Sequence, residues 1–247
     1  MVRGRPCSFG IWYNTRVKRR KPWLHGIRIL HEDPDVIVID KPAGLLVQAL
    51  RHGREPSVEA ILSDYVRKGQ WKSRKQVYLV HRLDRDTSGV MMVAKTGAAQ
   101  EYFRSNWNEL TEKTYLARVE GELDAESGVF ESWLYEGEDL FVRSTPDREK
   151  GKFARTEWRR LGADAGSTLV EATLKTGRKN QIRVHFAEAG HPVAGDAKYG
   201  RGAKGEPLCL HAWKLRFLHP HGRRWMEFAA TPPRFASFPV ASRAKMC

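Results

Sequence analysis

Cysteine is scarce in this 247-residue chain, and its three cysteines, Cys7, Cys209 and Cys247, are odd in number and widely spaced. With no Cys-x-x-Cys pair and no Cys/His cluster, they read as reduced and structurally incidental. Four histidines, His81, His185, His191 and His211, lack both paired and i, i+4 spacing. No metal site is therefore expected. Apolar runs fall far short of the roughly 20 residues that span a bilayer, and no basic amphipathic helix with a wide apolar face offers a membrane surface contact. The first 30 residues lack an apolar core followed by small residues, so a secretory signal is not read there and cytoplasm is the expectation. Thr176-Gly177-Arg178-Lys179 looks superficially like a phosphate loop, but Gly-x4-Gly-Lys-Ser/Thr is missing, as is Gly-x-Gly-x-x-Gly opening a βα unit. No nucleotide cofactor, hydride donor or methyl donor is implied.

Acidic residues are also in deficit, 29 against 43 Lys and Arg, a formal net charge of +14. Neutralising phosphates releases counterions, so this excess points to a polyanionic partner, with nucleic acid foremost. Hydrophobic content of 41% and eight Trp argue for a folded chain, and the length favours one large domain. Residues 1–30 form a basic leader that includes Arg16-Val17-Lys18-Arg19-Arg20-Lys21-Pro22-Trp23. It reads equally well as an RNA-contacting arm or a solvated tail. Residues 31–240 read as the main domain.

Val36-Ile37-Val38-Ile39 is a buried-strand pattern that stops at Lys41-Pro42-Ala43-Gly44, and Leu45-Leu46-Val47 resumes it. Ser57 has the position of an N-cap for a helix whose apolar stripe, Val58, Ile61, Leu62, Tyr65 and Val66, ends at Gly69. Val77 to Val80 and Gly89 to Ala94 predict strands that flank a loop carrying His81 to Ser88. Ala99, Tyr102, Phe103 and Trp107 suggest a second helix. Further strands are expected at 114–119, 129–135, 153–160, 168–174, 208–217 and 224–228, with 137–152 as a charged hairpin loop and 178–189 as a helix with a basic first turn. Strands outnumber helices without regular alternation. The class is α+β.

His81-Arg82-Leu83-Asp84-Arg85-Asp86-Thr87-Ser88-Gly89 places one carboxylate between two arginines at the mouth of the apolar run Val90 to Ala94. An arbitrary Arg-x-Asp is usually an exposed ion pair of little consequence. The whole nonapeptide, however, resembles the active-site segment of the RluA-type RNA pseudouridine synthases. Asp40-Lys41-Pro42-Ala43-Gly44-Leu45, Lys113-Thr114-Tyr115, Thr176-Gly177-Arg178-Lys179-Asn180-Gln181-Ile182-Arg183-Val184-His185, and Gly190-His191-Pro192-Val193-Ala194-Gly195-Asp196 with Leu210-His211-Ala212 resemble the family's other segments, in order, from about residue 33 to 235. Asn180 stands where many relatives have His.

The resemblance implies a mixed, mostly antiparallel central sheet with flanking helices and an RNA-binding cleft. It implies isomerisation of uridine to pseudouridine in structured rRNA or tRNA by a monomer without metal or cofactor, in a form lacking the small RNA-binding domain that many relatives carry in front. Asp84 is the implied catalytic carboxylate, attacking C1′ or C6 or removing the 2′ proton. A carboxylate near phosphates is driven toward its neutral form by desolvation and like charge. The resemblance makes Arg183 the cation that offsets this, against the alternative of a helix-surface arginine. Tyr115 is implied to stack on the target base, against that of a half-buried strand tyrosine. Arg82 is implied to enter the RNA stack where the nucleotide is flipped out, against that of a structural salt bridge. His81, Arg178 and Lys41 join it as residues set against RNA. The rival reading is a non-catalytic RNA-binding or ribosome-assembly factor of the same fold.

Overall fold

The computed structural model describes residues 24–49, 55–70, 72–164 and 166–236. The leader to residue 23, Cys7 and Cys247 lie outside the described residues. Eleven strands form one sheet: β1 (Arg28–Glu32), β2 (Val36–Lys41), β3 (Tyr78–Leu79), β4 (Ser88–Ala94), β5 (Thr111–Glu120), β6 (Ser127–Glu136), β7 (Val142–Thr145), β8 (Lys152–Asp164), β9 (Ser167–Leu174), β10 (Leu210–Leu218) and β11 (Trp225–Ala229). The order is β1-β2-β4-β10-β5-β9-β8-β6-β7, with β3 added to β4 and β11 to β10. Among these strand pairings only β4 with β10 is parallel, through Ser88 and Gly89 opposite His211 and Ala212. The helices are α1 (Val58–Arg67), α2 (Gly97–Ser105), α3 (Trp107–Leu110) and α4 (Gln181–Glu188). The expected α+β class and mostly antiparallel sheet agree with this arrangement.

The continuous apolar runs of β2 and β4 arise because both faces of the sheet are covered. Ile37, Ile39, Met91 and Val93 pack into a core shared with Val58, Ile61 and Leu62 of α1 and Ile182 and Phe186 of α4. Val36, Val38, Val90 and Met92 point to the opposite face and meet Phe103 of α2, Leu215 and Phe217. Each such side chain, fully buried, contributes about 1.5–3 kcal/mol relative to exposure. Ser57 caps α1 as its position predicts, its Oγ accepting from the Ala60 N–H at 3.3 Å. Among the described residues no helix is long and apolar enough to cross a membrane.

Four expectations need correction. β1 begins at Arg28, and Leu24 and Ile27 are buried, so the folded sheet reaches back into the stretch read as leader. Leu45 to Val47 do not resume a strand beyond one bridge from Leu46 to Ser57. The carbonyls of Leu46 and Val47 instead accept the N–H groups of Val58 and Glu59, which the first turn of a helix leaves unpaired. The stretch 137–152 contains a strand, β7, paired to β6. Its signal is weak because only Val142 of its four residues is buried. Finally, α4 starts at Gln181 rather than 178, since Asn180 adopts a left-handed conformation with φ 54°.

Candidate active site

The loop from Val80 to Thr87 is held from three sides. His81 Nε2 accepts the Met92 N–H at 2.9 Å, and its ring stacks on Trp107 at 4.7 Å. Burial, reinforced by Lys113, lowers its pKa to about 3, so the ring is neutral. Lys41 is fully buried and donates to the carbonyls of Pro42, Leu45 and Arg85, each at 2.9 Å. Burial lowers its pKa to about 8, against the opposing pull of Asp86 and Asp84. Both residues thus depart from the expectation that they face RNA. Lys41 has no proton left for a phosphate, and His81 uses its ring to fix the loop to β4. The third anchor is the parallel contact itself, where Gly89 has φ +112° and an added Cβ would lie 2.1 Å from the Ala212 carbonyl oxygen.

At the loop's centre, Asp84 is partly exposed and Arg183 largely buried, with side-chain exposures of 29% and 13%. Arg183 NH1 donates to Asp84 Oδ2 at 3.2 Å. Its Nε and NH2 form a two-pronged pair with the fully buried Asp196, both at 2.7 Å. Burial opposes charge on Arg183, but the hydrogen bonds and charge of Asp196, with those of Asp84, raise its pKa overall. Burial likewise opposes charge on Asp196, and Arg183 with the Lys198 and Tyr199 N–H groups more than offsets it. The guanidinium is a rigid fork aimed by one carboxylate at another.

A second donor reaches the same oxygen: Asn180 Nδ2 lies 2.6 Å from Asp84 Oδ2. Which end of that amide faces Asp84 is fixed by a relay. Tyr199 Oη accepts the Val142 N–H at 3.0 Å, so its own proton goes to Asn180 Oδ1 at 3.1 Å, turning the NH2 end to the carboxylate. Both donors fall on Oδ2, which leaves Oδ1 as the oxygen for an incoming atom. The turn before α4 is equally set, because Gln181 Oε1 accepts from Thr176 Oγ1 and the Arg178 N–H while its Nε2 donates to the Arg155 carbonyl and Thr156 Oγ1.

Tyr115 of β5 is buried, and burial with the nearby Asp84 charge raises its pKa, keeping the phenol protonated. Arg82 is exposed and lines a cleft of about 730 Å³ together with Arg67, Gln76, Tyr78 and Arg104. Asp84 is not among that cleft's lining residues, so the cleft flanks the carboxylate. Arg178 is half-buried on the turn before α4, its Nε donating to the Phe153 carbonyl at 2.8 Å. Its charge, after burial, helps lower Lys113 to about 8. Asp84, Arg183 and Tyr115 therefore share one centre. Sequence reasoning missed the roles of Asn180, Asp196 and Tyr199. The available signal was a turn with a carboxylate, Gly195-Asp196, after a helix whose arginine would otherwise be buried with one partner.

The mixed eleven-stranded sheet, in which an anchored loop meets the parallel pairing of β4 with β10, is of the pseudouridine-synthase type. Solved structures share it: human RNA pseudouridylate synthase domain containing 4 superposes with a TM-score of 0.65 at 27% identity over 84% of this chain and 89% of that one. Human RNA pseudouridylate synthase domain containing 1, at 23% identity and a TM-score of 0.66, covers 85% of both chains and shares the fold. The model of the RNA pseudouridylate synthase family matches residues 35–188. The chain is 37% identical over 207 residues to ribosomal large subunit pseudouridine synthase D of Nitrosomonas europaea, covering 79% of this chain and 59% of that protein. It is 35% identical over 212 residues to ribosomal large subunit pseudouridine synthase C of Vibrio cholerae, covering 82% and 64%. An uncharacterised RNA pseudouridine synthase of Bacillus subtilis is 36% identical over 212 residues, covering 83% and 69%. The chain belongs to the RNA pseudouridylate synthase family. It spans less than two thirds of the length of the first two of these relatives.

Proposed function

We propose that this chain isomerises uridine to pseudouridine in structured RNA, with Asp84 as the catalytic carboxylate. The observation that carries the reading is the placement of both Arg183 and Asn180 on Oδ2 of Asp84, which orients the carboxylate and leaves Oδ1 open. The names of two relatives favour ribosomal RNA over transfer RNA as the substrate. The enzyme acts as a cytoplasmic monomer without nucleotide cofactor, and its catalytic domain spans the residues from the sheet's first strand to about 240.

The reaction must break the N1 glycosidic bond, turn the base and join C5 to C1′. Asp84 Oδ1 supplies the nucleophile or base, and Arg183 balances the negative charge it carries. Tyr115, protonated and buried beside it, stacks on the base and holds a proton ready. A base inside a duplex is out of reach, so Arg82, exposed at the cleft, fills the stack behind the flipped nucleotide. Arg178 contacts phosphate with the outer part of its guanidinium.

Pseudouridine mapping of cellular RNA with and without this gene identifies the substrate, and wild type and Asp84→Asn are then compared on it. Asp84→Asn should lose several orders of magnitude in rate while RNA binding holds. Activity within tenfold of wild type overturns the assignment. RNA binding by wild type without turnover on any cellular RNA favours the binding-factor reading.

A further inference from the structure

At the far end of β2 from the Asp84 loop, the β1–β2 turn meets the β10–β11 turn. Asp33, Asp35 and His219 bring ligand atoms to within 4.8 Å of one another, and His31 and His221 each reach one of the carboxylates. Sequence spacing hides the group because it is assembled from His31-x-Asp33-x-Asp35 and His219-x-His221, 184 positions apart at their nearest members. His31 and Asp35 are four apart, but they stand at the β1–β2 turn and not on a helix.

Four features distinguish this group from an ordinary surface pair. Asp33 Oδ1 is occupied by the Asp35 and Val36 N–H groups at 2.8 and 2.9 Å, which leaves Oδ2 as its ligating oxygen. That Oδ2 lies 2.7 Å from His31 Nε2 and 3.1 Å from His219 Nε2. His219 is buried, and its Nδ1 lies 2.6 Å from the His221 carbonyl oxygen, an approach that requires a proton on Nδ1 although the His221 N–H is also 3.1 Å away. With that proton on Nδ1, Nε2 points at the Asp33 carboxylate either as a second donor or as a lone pair that a shared metal ion would draw together with the carboxylate oxygen. Asp35 is buried as well, and its Oδ2 meets Nδ1 of the exposed His221 at 2.6 Å, so a buried and a partly exposed carboxylate share one small volume. Lys95 is the nearby fixed cation, but its ammonium is taken by the Asp33 carbonyl and by Glu32.

We infer that Asp33, Asp35 and His219, with His31 or His221 as a further ligand, form a binding site for one divalent transition-metal ion. Imidazole and carboxylate ligands together suit zinc, nickel or cobalt better than calcium or magnesium, which take oxygen ligands. The backbone carbonyl on His219 Nδ1 is the kind of outer partner that fixes a ligand ring's tautomer and direction. The ion would clamp the β1–β2 edge to the β10–β11 hairpin, a structural site remote from Asp84 and independent of the reaction there.

The test uses the full chain, stripped with a chelator and carrying Cys7→Ser, Cys209→Ser and Cys247→Ser so that thiols cannot compete. Zinc and nickel are titrated separately by calorimetry, with melting followed in parallel at pH 7.5. One equivalent should bind with a dissociation constant below about 10 μM, and melting should rise with free metal as linkage requires. Asp33→Asn, nearly isosteric, should weaken binding by more than about tenfold, and Asp35→Asn should do the same, whereas His185→Gln, remote from the cluster, should not. Absence of saturable binding below 100 μM, or unchanged affinity in both Asn variants, overturns the site. A cluster filled by a proton alone would leave melting unmoved by added metal at pH 7.5, which also overturns it.

Discussion

At the scale of single residues, the informative fact is that Arg183 serves two carboxylates, one partly exposed and one fully buried. Replacing it with Met strips Asp196 of its partner, and an unpaired buried carboxylate costs on the order of 3–5 kcal/mol. Arg183→Met should therefore melt well below wild type, whereas Arg183→Lys keeps the charge, loses the fork and should retain the fold with part of the rate. Urea unfolding alongside single-turnover rates from pH 6 to 9 checks this, and equal rates for all three proteins would refute the pairing with Asp84. Tyr199→Phe is the finer probe. It deletes the hydroxyl that orients the Asn180 amide, so the rate should fall by about tenfold to a hundredfold, the upper end being what a misplacement of about 1 Å can cost. RNA affinity should be unchanged. A parallel loss of affinity would make Tyr199 a binding residue instead. The grouping of Asp84, Tyr115 and Arg183 was legible because the segments that carry them stand in a recognisable order. Asn180 and Tyr199 were not, since an amide and a phenol announce no role until the chain brings them to 3.1 Å.

At the scale of elements, the Asp84 loop is positioned by strands on either side and by one buried cation. Gly89→Ala would force a Cβ onto the Ala212 carbonyl at a φ of +112°, and the parallel contact of β4 with β10 would have to open. Loss of about 4 kcal/mol or more is expected, read as insolubility or a collapsed urea midpoint. Lys41→Met leaves three carbonyls without their donor and should cost about 2–4 kcal/mol while leaving the salt dependence of RNA binding unchanged. A flattened salt dependence would return Lys41 to the RNA surface. Strands such as β2, β4, β5 and β9 were readable because each alternates or runs apolar. What failed to read was decided by competition for hydrogen bonds: the carbonyls of Leu46 and Val47 went to the start of α1, and β7 formed from a charged stretch because β6 offered an edge. His81 and Lys41 were assigned the right neighbourhood and the wrong direction, since sequence order cannot tell a side chain facing RNA from one facing the loop beneath it.

For the whole molecule, charge and buried imidazoles govern behaviour with pH and salt. His185 and His211 are held near a pKa of 4 and His81 near 3, all chiefly by burial. Unfolded, each titrates near 6.5, so below that pH the unfolded chain binds protons that the folded chain refuses, and stability falls as pH falls. At pH 5 the loss approaches about 2 kcal/mol per histidine, and Asp196, lowered in the fold, adds to the loss in more acid solution. Melting should drop steadily from pH 7 to 4.5, and a flat profile would show that these rings are not buried neutral in solution. Salt tests the other half of the charge. Residues 1–22 carry Arg3, Arg5, Arg16, Lys18, Arg19, Arg20 and Lys21 without one acidic residue, half of the +14 excess. If these side chains neutralise phosphates, each contact contributes about 0.7–0.9 to the slope of log affinity against log salt, depending on whether the RNA behaves as single strand or duplex. Deleting residues 1–22 should then flatten that slope by up to the number of contacts made and weaken binding most at low salt, while the single-turnover rate at saturating enzyme stays constant, because Asp84 and its partners lie elsewhere in the chain. An unchanged slope would make the leader a passive tail and assign the electrostatic attraction to the basic cleft around Arg67, Arg82 and Arg104.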